Sequence, residues 1–377
     1  MVVVTRPPSN AFVAFVRRIY NPIGFSKGYN FILFVIFGGA LLGFTLARFM
    51  FLDIKGIFCN PKSTVGGALP GECYYYLQGI ENVGIIMHLA GILPAAFLAV
   101  FQFVPAIRHK VIIVHRLNGY LIILLSLVGV IGVFMIARHG LGGGLDVQSA
   151  AGMASIVFIS CKVIAFYNIK MLQIEQHRAW MLRAWGIASF IITMRIIAII
   201  MAIIVGKTPK DYYTVRPCAM IDHIYGGNQT RVLRVYPACS TFYSGADPSQ
   251  RVPVPVGVAA DGPERIASAI NTSFGASAYL AFLLHALAVE LYLRLTPAET
   301  ERLRRVSYER QKEAGMKNPG NAGLTAQRLG DADPWSPEPP QSGSNGSTDE
   351  KYLRIARRPV PTERGAARLS DPESEDR

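Results

Sequence analysis

The residues of this chain with the clearest chemical potential are charged or titratable side chains inside apolar segments. Lys162, Arg195 and His285 each lie near the middle of an apolar stretch of about 20 residues, the length that crosses a bilayer. Charges at that depth are costly and need a reason. Because a guanidinium matches the oxygens of a carboxylate, we predict that these side chains line one enclosed chamber and bind the anionic or strongly polar head of a lipophilic ligand. A structural alternative stays open, in which Arg195 pairs with Glu290 and Lys162 bonds backbone carbonyls or loses its proton.

Acid–base groups accompany these three residues. Glu81 lies at one mouth of the second apolar segment, and Glu290 lies about one and a half turns beyond His285. A carboxylic acid that burial keeps protonated can act as a general acid. We therefore predict Glu81 or Glu290 as a proton donor, with His88 or His285 as a donor or as the group that orients one.

Two clusters of histidine and arginine lie where apolar segments begin. They are His115-Arg116-Leu117-Asn118-Gly119-Tyr120 and His177-Arg178-Ala179-Trp180-Met181-Leu182-Arg183. Arginine can extend to the membrane surface and tryptophan is typical of the interfacial belt, which is a sufficient explanation for all but the histidines. The candidate substrate-binding residues of the two clusters are His115, His177, Trp180 and Arg183.

Histidine pairs on facing helices also suit haem b. His115 and His177 fall on one predicted side of the membrane, and His88 and His139 fall on the other, a loose match to the two-haem conduit of the cytochrome b561 type. Because His139 and His177 lie at or beyond segment ends, a flat haem would be poorly covered there. The primary prediction is therefore a protein without a cofactor, with haem b as the alternative.

Composition decides which elements must position these residues. The chain has 377 residues, of which 51% are hydrophobic and only 17% charged, against about 25% charged in soluble domains. Six windows are long and apolar enough to cross a bilayer: Phe31–Leu52, Val83–Val104, Leu117–Ala137, Ala150–Ile169, Ala184–Val205 and Phe274–Leu293. We predict an all-α bundle of six transmembrane helices embedded in a lipid bilayer. Gly39 and Gly43 have the spacing that lets a neighbouring helix approach closely, unless that spacing is incidental.

Basic residues orient the bundle, because short cytosolic flanks are rich in lysine and arginine. Residues 1–30 contain four basic residues and no acid, and the turn between the second and third segments contains three and no acid. The alternate flanks are balanced. We predict that both termini face the cytosol, with a cytosolic segment 1–30, a bundle 31–293, outer loops 53–82 and 206–273, and a cytosolic tail 294–377. The longer outer loop reads as an irregular cap.

Cysteines and glycosylation sequons agree with this orientation. Cys59 and Cys73 lie in the first outer loop and Cys218 and Cys239 in the long one, so we predict two disulfides on an oxidising side, paired within or between loops. Asn228 and Asn271 begin sequons on the same side, which predicts glycosylation. All of these signals fit an outer side that is the lumen of the endoplasmic reticulum or another endomembrane compartment.

The tail and the missing motifs narrow the function. Thr296-Pro297-Ala298-Glu299 predicts the start of a helix that runs to about Glu313, and the composition of residues 315–349 predicts disorder. The cluster Arg354–Arg358 is predicted to be solvated rather than bound to lipid. Although the net charge is +13, fifteen basic residues oppose fourteen acids beyond Leu293, so the tail is no polycation and a nucleic-acid partner is not predicted. No phosphate-binding loop, nucleophile elbow or metal-binding motif is present, so no metal is predicted.

The two His-Arg clusters carry a resemblance. His-Arg-x-x-Gly-Tyr and His-Arg-x-Trp-Met-x-Arg, preceded by His88-x-x-Gly91 and followed by Arg195, resemble a family of uncharacterised bacterial and fungal membrane proteins over about Val83–Ile204. The layout is also similar to fungal membrane-bound terpene cyclases of the ascofuranone and macrophorin pathways. That similarity implies a secondary-metabolism enzyme that protonates an epoxide or alkene of a lipophilic prenylated aromatic (meroterpenoid-type) substrate and guides the carbocation to ring closure. The alternatives are a haem-binding electron-transfer protein and a non-catalytic transporter or scaffold.

Overall fold

The structure, a computed structural model, describes residues 7–209, 211–258 and 261–337. Within these ranges six helical segments are long and apolar enough to cross a membrane, which confirms the predicted fold class of a polytopic helical membrane protein. The segments are Gly28–Leu52, Gly79–Gln102, Ile112–Ile136, Leu145–Lys170, Ile174–Val205 and Pro263–Leu295.

The elements follow one another as fifteen α-helices and two strands among the described residues. In chain order the helices are α1 (Ala11–Tyr20), α2 (Gly28–Leu33), α3 (Gly39–Arg48), α4 (Glu72–Tyr76), α5 (Gly79–Gln102), α6 (Pro105–Lys110), α7 (Ile112–Ile136), α8 (Leu145–Lys170), α9 (Ile174–Ala188), α10 (Phe190–Val205), α11 (Cys218–Ile224), α12 (Gln229–Val235), α13 (Ser240–Tyr243), α14 (Pro263–Leu295) and α15 (Pro297–Glu313). The strands are β1 (Tyr213–Pro217) and β2 (Arg251–Pro255), and a π-helical turn, Phe34–Gly38, joins α2 to α3.

All six membrane helices are longer than their apolar windows, and the fifth and sixth exceed them the most. The fifth begins at Ile174, ten residues before the window, because the amphipathic stretch that contains the second His-Arg cluster is itself helical. It continues from α9 into α10 through Ser189, whose hydroxyl donates to the Trp185 carbonyl at 2.8 Å. The sixth begins at Pro263, with proline in its first turn and Glu264 beside it, both favourable at a helix start.

The helices α5 and α7 approach each other through glycines. A Cβ on Gly132 would lie 2.5 Å from the Gly84 carbonyl oxygen and 2.5 Å from the His88 nitrogen, and one on Gly91 would lie 2.5 Å from the Gly129 nitrogen. Small residues let two backbones meet in this way. The close approach expected at Gly39 and Gly43 does not occur in the described structure, where no atom lies within 4 Å of a Cβ built on either residue.

The long outer loop is an ordered unit rather than the irregular cap expected from its prolines. The strands β1 and β2 pair antiparallel, with Tyr213 opposite Pro255 and Pro217 opposite Arg251. Val252 and Val254 alternate inward and join a small buried core. We call residues 211–258 the cap. The cap has a core because its alternating valines pack against its disulfide, although the surrounding sequence is irregular.

Both predicted disulfides are present, and each closes its own loop. Cys59 bonds Cys73 and Cys218 bonds Cys239, which decides between the pairings that the sequence left open. Cys161 is a free, buried cysteine. We call the end of the bundle that contains both disulfides the outer end.

The opposite, inner end holds the segments that lead to both termini. The Ala106 nitrogen, in α6, donates to the Ile23 carbonyl at 3.0 Å, and the Tyr292 hydroxyl donates to the Asn30 side chain at 3.0 Å. Segments near the start and the end of the bundle therefore meet at one end, as an even number of crossings requires.

The first part of the tail is ordered against the inner end, contrary to the disorder expected from residue 315 onward. The Gln173 amide donates to the Gly320 carbonyl at 2.9 Å and its oxygen accepts from the Gly323 nitrogen at 2.9 Å, while Gln311 donates to Gln173 at 2.9 Å. Buried side-chain amides hold a glycine-rich loop that has no apolar core of its own. The rest of the predicted disorder, from residue 338, and the cluster Arg354–Arg358 lie outside the described residues.

Candidate functional site

Lys162 is held by its neighbours inside the bundle. It is 3% exposed, and its ammonium donates to the Ser126 hydroxyl on α7. The same nitrogen lies 3.8 Å from the ring centroid of Phe158 and 4.4 Å from that of Trp185. One hydroxyl and two aromatic faces therefore surround the cation.

Arg195 and His285 lie in separate surroundings. The Arg195 guanidinium donates to the Ile191 carbonyl at 3.1 Å and lies 5.1 Å from the ring centroid of Phe44. His285 Nδ1 lies 2.7 Å from the Gly186 carbonyl oxygen, and its Nε2 lies 2.8 Å from the Thr193 hydroxyl. The hydrogen-bond partners of Lys162, Arg195 and His285 are all different among the described residues, so these contacts do not support convergence on one chamber, which stays a prediction.

Glu290 is bound by Arg183. Arg183 donates to both carboxylate oxygens, at 2.6 and 3.0 Å, and its guanidinium lies 4.7 Å from the ring centroid of Trp180. The alternative pairing of Arg195 with Glu290 is therefore wrong. A two-pronged guanidinium contact favours the ionised carboxylate, so the geometry does not support Glu290 as a proton donor.

The remaining interior histidines are fixed to main-chain carbonyls or lack a partner. His88 Nδ1 lies 3.1 Å from the Gly129 carbonyl oxygen, and His177 Nδ1 lies 2.9 Å from that of Ala165. His115 Nδ1 is buried and has no hydrogen-bond partner among the described residues. His115 and His177 share the inner end, while His88 lies along the contact between α5 and α7.

A close pair of acid–base groups lies at the outer end. Glu81 Oε1 lies 2.6 Å from His139 Nδ1, and the imidazole stacks on the Tyr75 ring with centroids 4.1 Å apart and planes 7° from parallel. Glu81 is in the first turn of α5, and His139 follows α7. The glycine contacts that join these two helices therefore bring the two side chains together. We call Glu81 and His139 the outer dyad.

A buried carboxylate, Glu72, fixes the loop that follows His139. Glu72 is 5% exposed and accepts from the Leu141 nitrogen at 2.7 Å and the Leu69 nitrogen at 3.0 Å. Burial raises the pKa of Glu72, while these backbone bonds and the positive charges of Arg195 and Arg216 oppose the rise. Leu141 is held with φ at 52°, a left-handed conformation that costs free energy in a leucine.

Beside this loop lies a cavity of about 360 Å³, which we call the outer cavity. Its wall includes Gly142, Asp146, Tyr213, Arg216, Asn271 and Thr272. The loop, the first strand of the cap and α14 thus meet around one open space. Burial raises the pKa of Tyr75, the ring that stacks on the outer dyad, so its phenol stays neutral near pH 7.

The structure corrects one predicted modification site. Asn271 is inside α14, is 7% exposed and lines the outer cavity. A bulky glycan does not fit a side chain in that position, so the prediction of glycosylation at Asn271 is wrong. Asn228 is exposed, with its oxygen capping α12 through the Arg231 nitrogen at 3.0 Å, and glycosylation there stays a prediction.

Sequence reasoning missed much of the outer end. His139 was considered only as a haem ligand, and Glu72, Tyr75 and Arg216 were not considered as site residues. The available signal was the glycine-rich run Gly140–Gly144 directly after a histidine, because such runs adopt backbone conformations that place a loop against a site. Among the described residues, no group of three or more His, Cys, Asp or Glu side chains is arranged to hold a metal ion.

Comparison with known proteins gives one match. Residues 85–221 match the model of a family described as "Predicted membrane protein (DUF2306)". No curated protein and no solved structure matches the chain. The match supports the predicted resemblance to an uncharacterised family of membrane proteins. The matched range includes His88, His139 and Arg216 and excludes Glu81 and Asn271. The chain is an integral membrane protein, and its described residues form six apolar helices long enough to cross a membrane and two disulfides.

Proposed function

We propose that this chain is an integral membrane enzyme whose outer dyad transfers a proton to an amphiphilic substrate. More specifically, the chain would be a terpene cyclase of secondary metabolism that acts on a prenylated aromatic (meroterpenoid-type) substrate in an endomembrane. The observation that carries it is the 2.6 Å contact between Glu81 and His139, with the imidazole stacked on Tyr75. The seat of the reaction is thereby the outer end of the bundle and not its interior.

The dyad has the arrangement of an oriented general acid. A carboxylate that accepts from Nδ1 fixes the orientation of the ring, and Nε2 has no hydrogen-bond partner among the described residues. Nε2 would give its proton to an epoxide oxygen as the carbon–oxygen bond breaks. The electrons of a neighbouring alkene then form the new carbon–carbon bond, and the final carbocation returns a proton to Nε2. This sequence is an isomerisation and needs no other reactant.

The same chemistry favours one of the two substrates implied by the resemblance. An imidazolium is a weak acid, and an epoxide oxygen is a far stronger base than an alkene carbon. The outer dyad therefore favours a terminal epoxide over an unactivated alkene. Glu81 lies in the first turn of a membrane helix, so the apolar chain of an amphiphilic substrate can stay in the bilayer while its epoxide reaches the outer dyad.

The test is product formation by the full chain in microsomes. Microsomes are given a farnesylated phenol or its terminal epoxide, and a cyclic product is separated from its isomeric substrate by liquid chromatography and identified by NMR spectroscopy. We expect a cyclic isomer from the epoxide, with a rate about 10² to 10⁴ lower in His139→Ala and clearly lower in Glu81→Gln. Glu290→Gln is the matched control because it removes the other candidate acid, and it should retain the rate.

Two outcomes would contradict the proposal. One is the absence of a cyclic product from either substrate with correctly inserted wild-type protein. The other is a His139→Ala variant that cyclises the epoxide as fast as the wild type. A loss of activity in Glu290→Gln alone would indicate that Glu290, at the inner end, is the proton donor.

A second candidate, haem b, rests on the inner histidines. His115 Nδ1 has no partner in the described part of the chain, and His177 Nδ1 contacts a main-chain carbonyl, the orientation that leaves Nε2 for an axial bond. The outer pair fits poorly, because His139 is already bound to Glu81. Purified protein with a Soret band that is lost in His177→Ala and kept in His139→Ala would support this candidate over the cyclase.

A further inference from the structure

We infer that the outer cavity is a binding site for a singly charged oxyanion that carries a neighbouring hydroxyl group. The inference concerns binding alone and does not depend on proton transfer by the outer dyad. It rests on three residues that line the cavity and each have a buried polar atom without a hydrogen-bond partner among the described residues: Arg216 Nη2, Asn271 Oδ1 and Thr272 Oγ1.

Arg216 supplies the positive charge. It is on β1, and its side chain forms one hydrogen bond with the described residues, a long contact of 3.5 Å from Nη1 to the Gly142 carbonyl oxygen. No carboxylate among the described residues forms an ion pair with it. A buried guanidinium nitrogen with an unused N–H, as at Arg216 Nη2, loses hydration without replacement, and an oxyanion would restore the missing bond.

Asn271 and Thr272 supply the complementary polar groups from α14. Asn271 is 7% exposed, so its oxygen cannot be satisfied by bulk water. An amide oxygen accepts hydrogen bonds and cannot donate them, and it therefore calls for a hydroxyl or amine hydrogen on the ligand. The wall thus presents a cationic donor and a neutral acceptor side by side.

Glycines keep the cavity open. A Cβ on Gly142, whose φ is +96°, would lie 2.8 Å from the Asn271 Cβ. A Cβ on Gly275 would lie 2.0 Å from Asp146 Oδ2. Larger residues at these two positions would push the loop or Asp146 out of place and change the shape of the space.

The charges that face the cavity select a monoanion. Arg216 contributes one positive charge, and the exposed carboxylate of Asp146 lines another part of the wall. A doubly charged anion would be repelled by Asp146, whereas a hydroxyl hydrogen can donate to it. A volume of about 360 Å³ suits a head group and not a whole lipid.

This ligand chemistry has two sources, a lipid head group and a soluble acid, and the experiment separates them. The full chain is placed in phosphatidylcholine nanodiscs and titrated calorimetrically with 2-hydroxybenzoate, with benzoate as the comparison without a hydroxyl. In parallel, retention of phosphatidylglycerol, a monoanion with head-group hydroxyls, is measured by native mass spectrometry. Binding of 2-hydroxybenzoate alone identifies a soluble ligand, and retention of phosphatidylglycerol alone identifies a lipid.

Variants decide whether the outer cavity is responsible. Arg216→Gln should lower the affinity for the bound probe about tenfold or more, and Arg216→Lys should recover part of that affinity. Gly142→Val should also lower the affinity, because its side chain fills the space. Arg251→Gln is the matched control, because Arg251 is an exposed arginine on the partner strand. Far-ultraviolet circular dichroism and intact cap disulfides show that the variants are folded. Failure of both probes to bind, or equal affinities in wild type and Arg216→Gln, would overturn the inference.

Discussion

Buried charges in this molecule take their partners from the nearest polar atoms, and sequence position gives little indication of which atoms those are. Lys162 and Arg195 were predicted to share a ligand because both lie deep in apolar helices. In the structure Lys162 bonds Ser126 on α7, and Arg195 bonds the carbonyl of Ile191 one turn back along its own helix. The direction of a side chain around its helix, which depth does not specify, therefore decides its chemistry.

The bond between Lys162 and Ser126 gives a prediction about stability. Ser126→Ala leaves the ammonium without its hydroxyl, and we expect a loss of about 1 to 3 kcal/mol in the free energy of unfolding. Lys162→Met keeps the volume and removes the charge, so it should be near neutral or stabilising, also in combination with Ser126→Ala. Thermal unfolding in nanodiscs measures all three variants. A Lys162→Met variant that lost ligand binding with unchanged stability would instead restore the predicted ligand role of Lys162.

Glu72 gives a prediction about pH. Because burial raises its folded-state pKa, the folded protein binds the proton more tightly than the unfolded chain. The resulting stabilisation is complete below the unfolded pKa and is lost as the pH rises through the raised folded value. We expect the melting temperature of the wild type to fall over that range relative to Glu72→Gln, which has no proton to lose. Parallel melting curves for the two proteins across about pH 4 to 9 would show that Glu72 does not titrate in this way.

At the scale of elements, the contact between α5 and α7 positions the outer dyad. Four glycines let the two backbones touch, and Glu81 and His139 are then carried at adjacent ends. Direct contact of two helices through small residues is stiffer than contact through long side chains, because no rotamers intervene. The 2.6 Å separation at the outer end thus depends on packing well below it.

Gly132→Leu tests this dependence. Its side chain would meet backbone atoms of Gly84 and His88, which cannot move aside as a flexible side chain can. We expect a loss of about 3 kcal/mol or more in stability, together with loss of any activity of the outer dyad. Gly43→Leu, with open space around its Cβ, is the control and should change stability by less than about 0.5 kcal/mol. Equal stability of the two variants in thermal unfolding would contradict the packing argument.

At the scale of the whole molecule, the two ends have different tasks. The inner end is closed by α15 and by the loop that Gln173 and Gln311 hold in place. The outer end carries the cap, the outer dyad and the outer cavity. Each disulfide closes one outer loop, so each loop has its own covalent constraint rather than one shared with the other.

Removal of the cap disulfide should loosen the cap and spare the bundle. The cap core is small, and a disulfide in such a unit contributes about 2 to 5 kcal/mol. In Cys218→Ser/Cys239→Ser we expect trypsin to cleave after Arg231 and Arg234 about tenfold faster or more, with unchanged helix content in nanodiscs. Cys59→Ser/Cys73→Ser should not accelerate those cleavages. Global unfolding of the cap variant would show that the cap and the bundle are one cooperative unit.

The positions of the helices were more predictable from the sequence than the residues of the site. Apolar length alone located all six membrane helices, and Thr296-Pro297 marked the start of α15. Helix ends were less accurate because an amphipathic turn such as the one that contains His177 is helical without being apolar. Of the predicted site residues, Glu81 keeps an acid–base role in our proposal, whereas Glu290 and Asn271 are engaged or buried in ways that local spacing does not reveal.

The sequence by itself determined what depends on one segment at a time: the membrane fold class, the six crossings and the placement of four cysteines in the two outer loops. The tertiary structure alone decided what depends on two segments meeting. It paired the cysteines within their loops, gave Lys162 and Arg195 different partners, and brought together Glu81 and His139, which are 58 residues apart in the chain. The physical reason is that burial in lipid is set by local composition, whereas a hydrogen bond or an ion pair requires two side chains within about 3 Å, which only the packing of the helices can fix.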